Sequence, residues 1–267
     1  MPYATNSLDG TRVYFEDDGG TGPSVVLYGG ILDSVDTVRQ SHIARSLEGL
    51  VSEFRLIYAD HRGLGRSDKP HDLEAYAMPL QAADSVAVMD ELGIERSHFV
   101  GRSYGGRLVF GIGEHAAERV LSVVAGGQQP YAVNPGGPLA RVIVGVLDAT
   151  RRDGATAFVE GLEGYWGVRF PDADRPVYLA QDGAAVAAAA EAMLTQGAIS
   201  SDLRKWRLPC LIFLGAADVD FFEQARRAAG EIPNTEFVAL DDLDHYGAHF
   251  EAESVLPAVL RTLRENG

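Results

Sequence analysis

A serine lies in a short segment flanked by glycines, Gly101–Gly105, with the sequence G-R-S-Y-G. The apolar pair Phe99-Val100 precedes the segment, and a helix-like stretch follows it. A tight turn from a strand into a helix would hold Ser103 in a strained conformation with its hydroxyl exposed. Glycine on either side allows the strand and the helix to approach closely, and the helix N-terminus offers N–H groups to an oxyanion. The spacing therefore predicts a nucleophilic serine.

A serine nucleophile needs a histidine that takes up its proton and a carboxylate that orients this histidine. The chain has seven histidines and 38 Asp and Glu residues, so composition alone does not select them. Two late segments carry candidates, each after an apolar run: Asp218 and Asp220 in the first, His245 and His249 in the second. The residues alone do not decide which of the two acids and which of the two histidines would act with the serine.

Four motifs together resemble the α/β-hydrolase superfamily, and the resemblance covers almost all of the chain. Leu27–Gly30 lies where that family has its His-Gly oxyanion loop, and residues 60–67 are similar to its D-x-R-G-x-G-x-S loop. Gly101–Gly105 is similar to its nucleophile turn, and an acid and a histidine follow in the family's order. The resemblance implies a structural part for Asp60 and Arg62, which would tie loops together.

The same resemblance implies Asp218 as the orienting acid and His245 as the general base after the last strand. Asp220 is the alternative acid and is otherwise expected to be a solvated loop residue. His249 is the rival base and is otherwise expected to pack near the inserted helices or to face solvent. A zinc pair of the two histidines is disfavoured, because Gly247 interrupts the helix that such a pair needs and no third ligand is evident.

Two backbone N–H groups are expected to bind the oxyanion of a tetrahedral intermediate. One belongs to Tyr104, the residue after the nucleophile. The other is expected from the loop Gly29-Gly30-Ile31, with Gly30 favoured.

Two side chains beside this predicted oxyanion hole are unusual. Tyr28 stands where the family usually has histidine; its phenol is either a further donor to the oxyanion or, as we favour, a group that packs under the loop. Arg102 precedes the nucleophile and is expected to make local hydrogen bonds, with a charge-assisted contact to a polar substrate as the alternative.

The elements that must position these residues follow an alternating pattern of apolar strands and helical stretches. This pattern is typical of a largely parallel sheet with helices on its faces. Strands are predicted over residues 12–16, 24–28, 55–59, 98–100, 120–125, 210–214 and 235–240. Helices are predicted between Pro79 and Gly93, after Ser103, and over 254–263.

The alternation stops between about residues 130 and 200, where helices are predicted over 139–152, 155–165 and 176–196 with no convincing strand. So long a helical run is not an ordinary connection between two core strands. We therefore predict an α/β-hydrolase core formed by residues 1–130 and 201–267, with an inserted helical lid over 131–200.

Composition restricts the partners. The 23 Lys and Arg residues against 38 Asp and Glu give a net charge of −15, which excludes nucleic acid and argues against an anionic membrane. Cys210 is the single cysteine, so no intrachain disulfide is possible. The first residues do not resemble a secretory signal, and no apolar run reaches the roughly 18 residues of a membrane span. We therefore expect a cytoplasmic protein.

Two further patterns narrow the chemistry. Residues 111–116 match the dinucleotide fingerprint G-x-G-x-x-A, but they lie inside the predicted helix after Ser103 rather than at its start. An aspartate nucleophile would indicate epoxide hydrolysis or dehalogenation in this superfamily, and Ser103 excludes both.

The resemblance implies a hydrolase without metal or organic cofactor that acts on a small to medium carboxylic ester or a lactone. One alternative is a non-hydrolytic enzyme with the same triad, such as a perhydrolase, hydroxynitrile lyase or acyltransferase. Another is a ligand receptor that kept the fold but lost turnover. The intact order of serine, acid and histidine weighs against the receptor.

Overall fold

The computed structural model describes residues 2–251 and 253–267. Strands β1 to β8 of the described residues run over Tyr3–Thr5, Arg12–Asp17, Ser24–Tyr28, Arg55–Ala59, Ser97–Arg102, Val120–Gly126, Cys210–Gly215 and Thr235–Leu240. They form one sheet in the order β1-β2-β4-β3-β5-β6-β7-β8. The pairs β1–β2 and β2–β4 are antiparallel, and all the other neighbours are parallel.

Helices α1 to α10 of the same residues run over Val35–Gln40, His42–Glu48, Met78–Glu91, Tyr104–His115, Pro138–Asp153, Thr156–Trp166, Arg175–Leu179, Gly183–Thr195, Phe222–Glu231 and Leu256–Glu265. Short 3-10 helices lie at Leu73–Tyr76, Ala117–Arg119, Leu203–Lys205 and Gly247–His249. Within the described ranges, no helix combines the length and the apolar character that crossing a bilayer would require.

The central strands are buried on both faces, as the five residues of β3 illustrate. Val26 belongs to one hydrophobic cluster with Leu108 of α4, whereas Val25 and Leu27 belong to a second cluster with Val259 of α10. Successive side chains of a strand point to opposite faces, so helices cover both sides of the sheet. The predicted mostly parallel sheet with flanking helices is confirmed.

The observed strands differ from the predicted ones mainly at their ends and at one edge. Strand β5 was predicted over 98–100 and extends over Ser97–Arg102. Strand β1 was not predicted, because three residues at a sheet edge are too few to give a readable alternation.

The parallel register aligns the carboxyl ends of the strands that precede the predicted site. Tyr28 at the end of β3 is opposite Gly101 of β5, and Gly215 at the end of β7 is opposite Leu240 of β8. The loops that carry the oxyanion segment, the serine, the acid and the histidine therefore leave the sheet at the same edge.

Helices α5 to α8 lie between β6 and β7, inside the predicted insertion. The single helix predicted over 176–196 is wrong, because the chain breaks between α7 and α8. Asp182 caps α8 by accepting a hydrogen bond from the N–H of Ala185 at 3.0 Å. A β-carbon on Gly183 would lie 2.2 Å from the carbonyl oxygen of Thr150, so the start of α8 contacts α5 backbone directly.

The two ends of this inserted segment meet at one point. The N–H of Ile199 donates to the carbonyl of Pro130 at 2.7 Å. Arg107, buried on α4, donates to the carbonyls of Tyr131 and Gly197, each at 2.8 Å. One guanidinium thus binds the chain where it leaves the sheet and where it returns.

Candidate active site

Ser103 forms the turn between β5 and α4, with φ of 53° and ψ of −116°. A residue with a side chain rarely adopts this conformation, so the turn is strained. A β-carbon on Gly101 would lie 2.1 Å from the carbonyl oxygen of Gly105, and one on Gly105 would lie 2.6 Å from that of Gly29. Both flanking glycines are therefore required by close backbone contact, as the motif predicts.

Ser103, His245 and Asp218 form one hydrogen-bonded chain. Nδ1 of His245 lies 2.9 Å from Oδ2 of Asp218, and Nε2 lies 3.0 Å from Oγ of Ser103. Because a carboxylate only accepts hydrogen bonds, Nδ1 donates to Asp218 and Nε2 accepts from the serine hydroxyl. In this tautomer the imidazole is able to take up the serine proton. The structure thus brings the three predicted residues together.

The surroundings fix the acid and the imidazole. Oδ1 of Asp218 accepts hydrogen bonds from the N–H groups of Asp220 and Phe221, both at 3.1 Å, which leaves Oδ2 for the histidine. The ring of Trp166, from α6, stacks on His245 at 5.7 Å between ring centres and 6° between planes. The inserted helices therefore supply one wall of the histidine site.

Asp220 does not lie free in solvent. Its carboxylate accepts hydrogen bonds from the hydroxyl of Tyr165 on α6 at 2.6 Å and from the N–H of Leu139 on α5 at 3.1 Å. The expectation of a solvated loop acid is wrong, because Asp220 joins the acid loop to the inserted helices.

His249 lies in the 3-10 helix after His245 and lines the same cavity as Ser103. Burial lowers the pKa of His249 to about 3, so the ring is neutral at pH 7. Its Nδ1 is buried and has no hydrogen-bond partner in the part of the chain that the structure describes. Among residues 2–251 and 253–267, no three His, Cys, Asp or Glu side chains are grouped as metal ligands.

The predicted oxyanion donors differ in their availability. The N–H of Tyr104 lies at the start of α4 and has no acceptor among the described residues. The N–H of Gly30 donates to Oδ2 of Asp33 at 2.6 Å, which departs from the expectation that it is free for a substrate. The N–H of Ile31, the next residue of the loop, has no acceptor within the same ranges.

Asp33 is a buried carboxylate of this site that the sequence reasoning missed. Besides the N–H of Gly30, it accepts hydrogen bonds from the hydroxyls of Thr37 and of Tyr178 on α7, each at 2.9 Å. Burial raises the pKa of Asp33, whereas His249, the charge of Arg102 and the hydrogen bonds from Gly30 and Thr37 lower it, and the pKa lies below its usual value. A short acidic side chain three residues after Gly30 was the available signal.

Tyr28 packs under the oxyanion loop. Its hydroxyl is hydrogen-bonded to Oγ of Ser85 on α3 at 2.7 Å, and the side chain is buried. His61 supports the loop instead, since its Nε2 donates to the carbonyl of Gly29 at 3.0 Å. The favoured packing interpretation of Tyr28 agrees with this geometry.

The D-x-R-G segment ties loops together, as the resemblance implies. Asp60 accepts hydrogen bonds from the N–H groups of Val35 and Arg66, both at 2.6 Å. The guanidinium of Arg62 pairs with Asp84 at 2.6 Å.

An open cavity lies over Ser103, with about 490 Å³ of empty space when the adjoining open solvent is included. Leu162, Trp166, Phe170 and Tyr178 of the inserted segment form an apolar and aromatic wall of this cavity. The opposite lining comes from the oxyanion loop, His245, His249 and Arg102. Arg102 also makes the expected local hydrogen bond, from Nη2 to the carbonyl of His245 at 3.1 Å.

Comparison with known proteins identifies relatives of this chain. A family model described as alpha/beta hydrolase fold matches residues 23–155. Non-heme haloperoxidase of Rhodococcus erythropolis is 29% identical over 276 residues, which cover 96% of each chain. Bifunctional epoxide hydrolase 2 of Sus scrofa is 31% identical over 116 residues, 43% of this chain. The aligned part spans only 20% of that epoxide hydrolase.

A solved structure shares the fold over nearly the whole chain. The enol-lactonase from Burkholderia xenovorans LB400 superposes with a TM-score of 0.81 at 23% identity, covering 98% of this chain and all of that one. At this identity the likeness concerns the arrangement of the elements.

Proposed function

Because the chain belongs to the α/β-hydrolase superfamily, we propose that it is a serine hydrolase that cleaves small to medium carboxylic esters or lactones through an acyl-enzyme. The observation that carries the proposal is the continuous chain from Asp218 through His245 to Ser103, with hydrogen bonds of 2.9 and 3.0 Å. Its two bonds have the lengths and order that acyl transfer by a serine requires.

In the proposed reaction, Nε2 of His245 takes the proton of Ser103 while Oγ attacks the ester carbonyl. The imidazolium then gives that proton to the leaving alkoxide, and an ester forms between Ser103 and the acyl group. A water molecule, deprotonated by the same Nε2, attacks this ester and releases the acid. Asp218 keeps the imidazole in its tautomer throughout and stabilises its positive charge.

The oxyanion is bound by the N–H of Tyr104 and by a second donor from the loop after β3. The N–H of Gly30 becomes that donor when the substrate oxygen displaces Oδ2 of Asp33. The N–H of Ile31 is the alternative, since no described group accepts from it. Such donors are worth about 3–4 kcal/mol each to the transition state.

Residues 131–200 act in this proposal as a lid over the acyl-binding cavity. The aromatic wall from α6 and α7 favours an apolar acyl or alkoxy group of modest size. The same segment stacks Trp166 on the catalytic imidazole, so this ring shields one face of the imidazole from water.

The serine at the nucleophile position separates this chain from relatives with other chemistry. Epoxide opening and dehalogenation through a covalent intermediate need a carboxylate nucleophile, whose ester is then hydrolysed. Ser103 offers a hydroxyl instead, so acyl transfer is the better match.

Likeness to the haloperoxidase along 96% of both chains favours one second candidate, perhydrolysis. The same acyl-enzyme would transfer its acyl group to hydrogen peroxide rather than water, which gives a peracid and restores Ser103. Bromination of a chlorophenol in the presence of acetate, peroxide and bromide measures this activity beside ester hydrolysis.

Ser103→Ala is the decisive variant for the hydrolase. We expect kcat for p-nitrophenyl esters of graded acyl length, and for a lactone panel, to fall by several orders of magnitude with an unchanged melting temperature. A fluorophosphonate probe should label the wild type and Ser7→Ala, an exposed-serine control, but not Ser103→Ala. Full turnover by purified Ser103→Ala would overturn the proposed function.

A further inference from the structure

Arg102 differs from the other arginines inside the fold. Arg62 is paired with the carboxylates of Asp84 and Asp9 at 2.6 and 2.7 Å, and Arg107 donates to backbone carbonyls. Arg102 makes a single hydrogen bond to the described residues, from Nη2 to a backbone carbonyl. None of their carboxylates lies within 4.0 Å of its guanidinium nitrogens. Its charge therefore lacks a direct counterion.

The unused part of this guanidinium lies beside the reacting serine. Nη1 of Arg102 is 3.9 Å from the point that a β-carbon on Gly30 would occupy, and Cβ of Ser103 is 3.6 Å from the same point. Oδ2 of Asp33 is 3.3 Å from it, so this carboxylate lies near the guanidinium without forming an ion pair with it. Arg102 also lines the cavity over the nucleophile. An acyl group bound to Ser103 would thus have a cation within reach.

The other charged and titratable groups of the cavity do not satisfy Arg102. The carboxylate of Asp33 accepts from Gly30, Thr37 and Tyr178 before a substrate binds, and the bonds from Thr37 and Tyr178 stay when a substrate oxygen takes the N–H of Gly30. Asp174, at the start of α7, also lines the cavity without pairing with the guanidinium. His249 is neutral, and its buried Nδ1 lacks a described partner. The guanidinium of Arg102 therefore has N–H groups that lack a hydrogen-bond acceptor.

We propose that Arg102 binds a carboxylate on the acyl part of the substrate, so that the enzyme acts on half-esters of short dicarboxylic acids or on lactones that bear a carboxylate. This inference rests on the proposed serine hydrolase function. The planar guanidinium matches a carboxylate in geometry as well as in charge. Because Nη1 of Arg102 and Cβ of Ser103 lie within 3.9 and 3.6 Å of one point, the spacer between the two carbonyl carbons is limited to a few methylenes.

A matched set of substrates measures the effect of the carboxylate on kcat/KM. Monoethyl glutarate and ethyl pentanoate have acyl chains of equal length and differ in a terminal carboxylate against a methyl group. Diethyl glutarate is a neutral control for polarity at the same position. We expect kcat/KM of the wild type for the half-ester to exceed that for both neutral esters by about 10-fold or more.

Variants at Arg102 test the assignment. Arg102→Gln removes the hydrogen bond to the carbonyl of His245 for every substrate, so the test is the difference between substrates. It should lower kcat/KM for the half-ester by about 10- to 100-fold more than kcat/KM for ethyl pentanoate, mainly through KM. Arg102→Lys should retain part of the preference, because it keeps the charge but loses the planar fork. Arg226→Gln, at an exposed arginine of α9, is the matched control and should change neither substrate.

A binding measurement makes the test independent of turnover. Titration calorimetry of Ser103→Ala with glutarate should show binding that the additional change Arg102→Gln removes. Absence of glutarate binding, or equal wild-type kcat/KM for half-ester and neutral ester, would overturn the inference. An equal loss of kcat on both esters in Arg102→Gln would overturn it too and assign Arg102 to the oxyanion. Failure of the hydrolase itself would show separately, as no fluorophosphonate labelling of Ser103.

Discussion

His61 and Tyr28 show how one residue takes over the task of another. Tyr28 stands where the superfamily usually has histidine. Its hydroxyl binds Ser85, so its side chain makes no hydrogen bond to the oxyanion loop. The support comes from His61, whose ring lies against Tyr28 and Tyr104 at 5.0 and 4.9 Å between centres and whose Nε2 binds the carbonyl of Gly29. The loop therefore keeps a histidine, contributed by a different strand end.

Tyr28→Phe tests this division of tasks. Phenylalanine keeps the buried ring and loses only the bond to Ser85, so we expect kcat to fall less than about threefold and the free energy of unfolding to fall by about 1 kcal/mol. Ser85→Ala removes the same bond from the other side and should give a similar pair of values. A fall in kcat of about 100-fold with unchanged stability would instead make the phenol an oxyanion donor.

The site residue that could be predicted from sequence spacing alone is the nucleophile. Ser103 was predicted from a five-residue motif. The resemblance to the superfamily then selected Asp218 and His245 from the two pairs that spacing left open. Asp33 was missed as a site residue, because its contacts depend on how a loop closes and how Tyr178 of the inserted helices packs on the core. Arg102 was singled out, but only its surroundings in three dimensions reveal the missing counterion.

At the scale of elements, the strands were predictable because burial on both faces produces continuous apolar runs. The break between α7 and α8 was not, since an alanine-rich stretch fits one long helix equally well. Contact with α5 at Gly183 and capping by Asp182 decide where α8 begins. Gln181, in the break, donates to the carbonyl of Leu32 at 3.1 Å and accepts from Gly65 at 3.0 Å. The break thus binds the inserted segment to the oxyanion loop.

Asp182→Ala should weaken the inserted segment. The loss of the cap on α8 is expected to lower the free energy of unfolding by about 1 kcal/mol, measured by urea titration. Asp182 also pairs with His71 at 3.1 Å on the surface, so His71→Ala is the control and should cost less than about 0.5 kcal/mol. Equal losses in the two variants would assign the effect to the ion pair rather than to the cap.

For the molecule as a whole, buried neutral histidines make the fold sensitive to acid. Burial lowers the pKa of His61 and of His98 to about 4, and that of His249 to about 3. In the unfolded chain each titrates near about 6.5, so the unfolded state binds more protons between these values. Stability is therefore lost as the pH falls from about 6.5 towards about 4.

His98→Gln isolates one of these groups. His98 is fully buried in β5, hydrogen-bonded to Ser122 at 2.8 Å and remote from the triad. Between pH 7 and pH 5 the histidine should cost the wild type about 2 kcal/mol of stability, and the variant should lose correspondingly less over that interval. The measurement is urea unfolding at both pH values, with His115→Gln, at an exposed histidine, as the control. Parallel pH dependence in wild type and His98→Gln would contradict the expectation.

The clamp at Arg107 has a consequence for how such proteins diversify. The chain leaves and re-enters the core beside the guanidinium of Arg107, and the N–H of Ile199 is hydrogen-bonded to the carbonyl of Pro130. The two ends of the helical segment are therefore next to each other. Replacing this segment with one of different length or shape leaves the distance between its ends unaltered, so the sheet need not adjust. Recombination or laboratory grafting at these two junctions would change what the enzyme accepts while the sheet and Ser103 stay in place. A new segment would have to replace the contacts of Trp166 with His245 and of Tyr165 with Asp220.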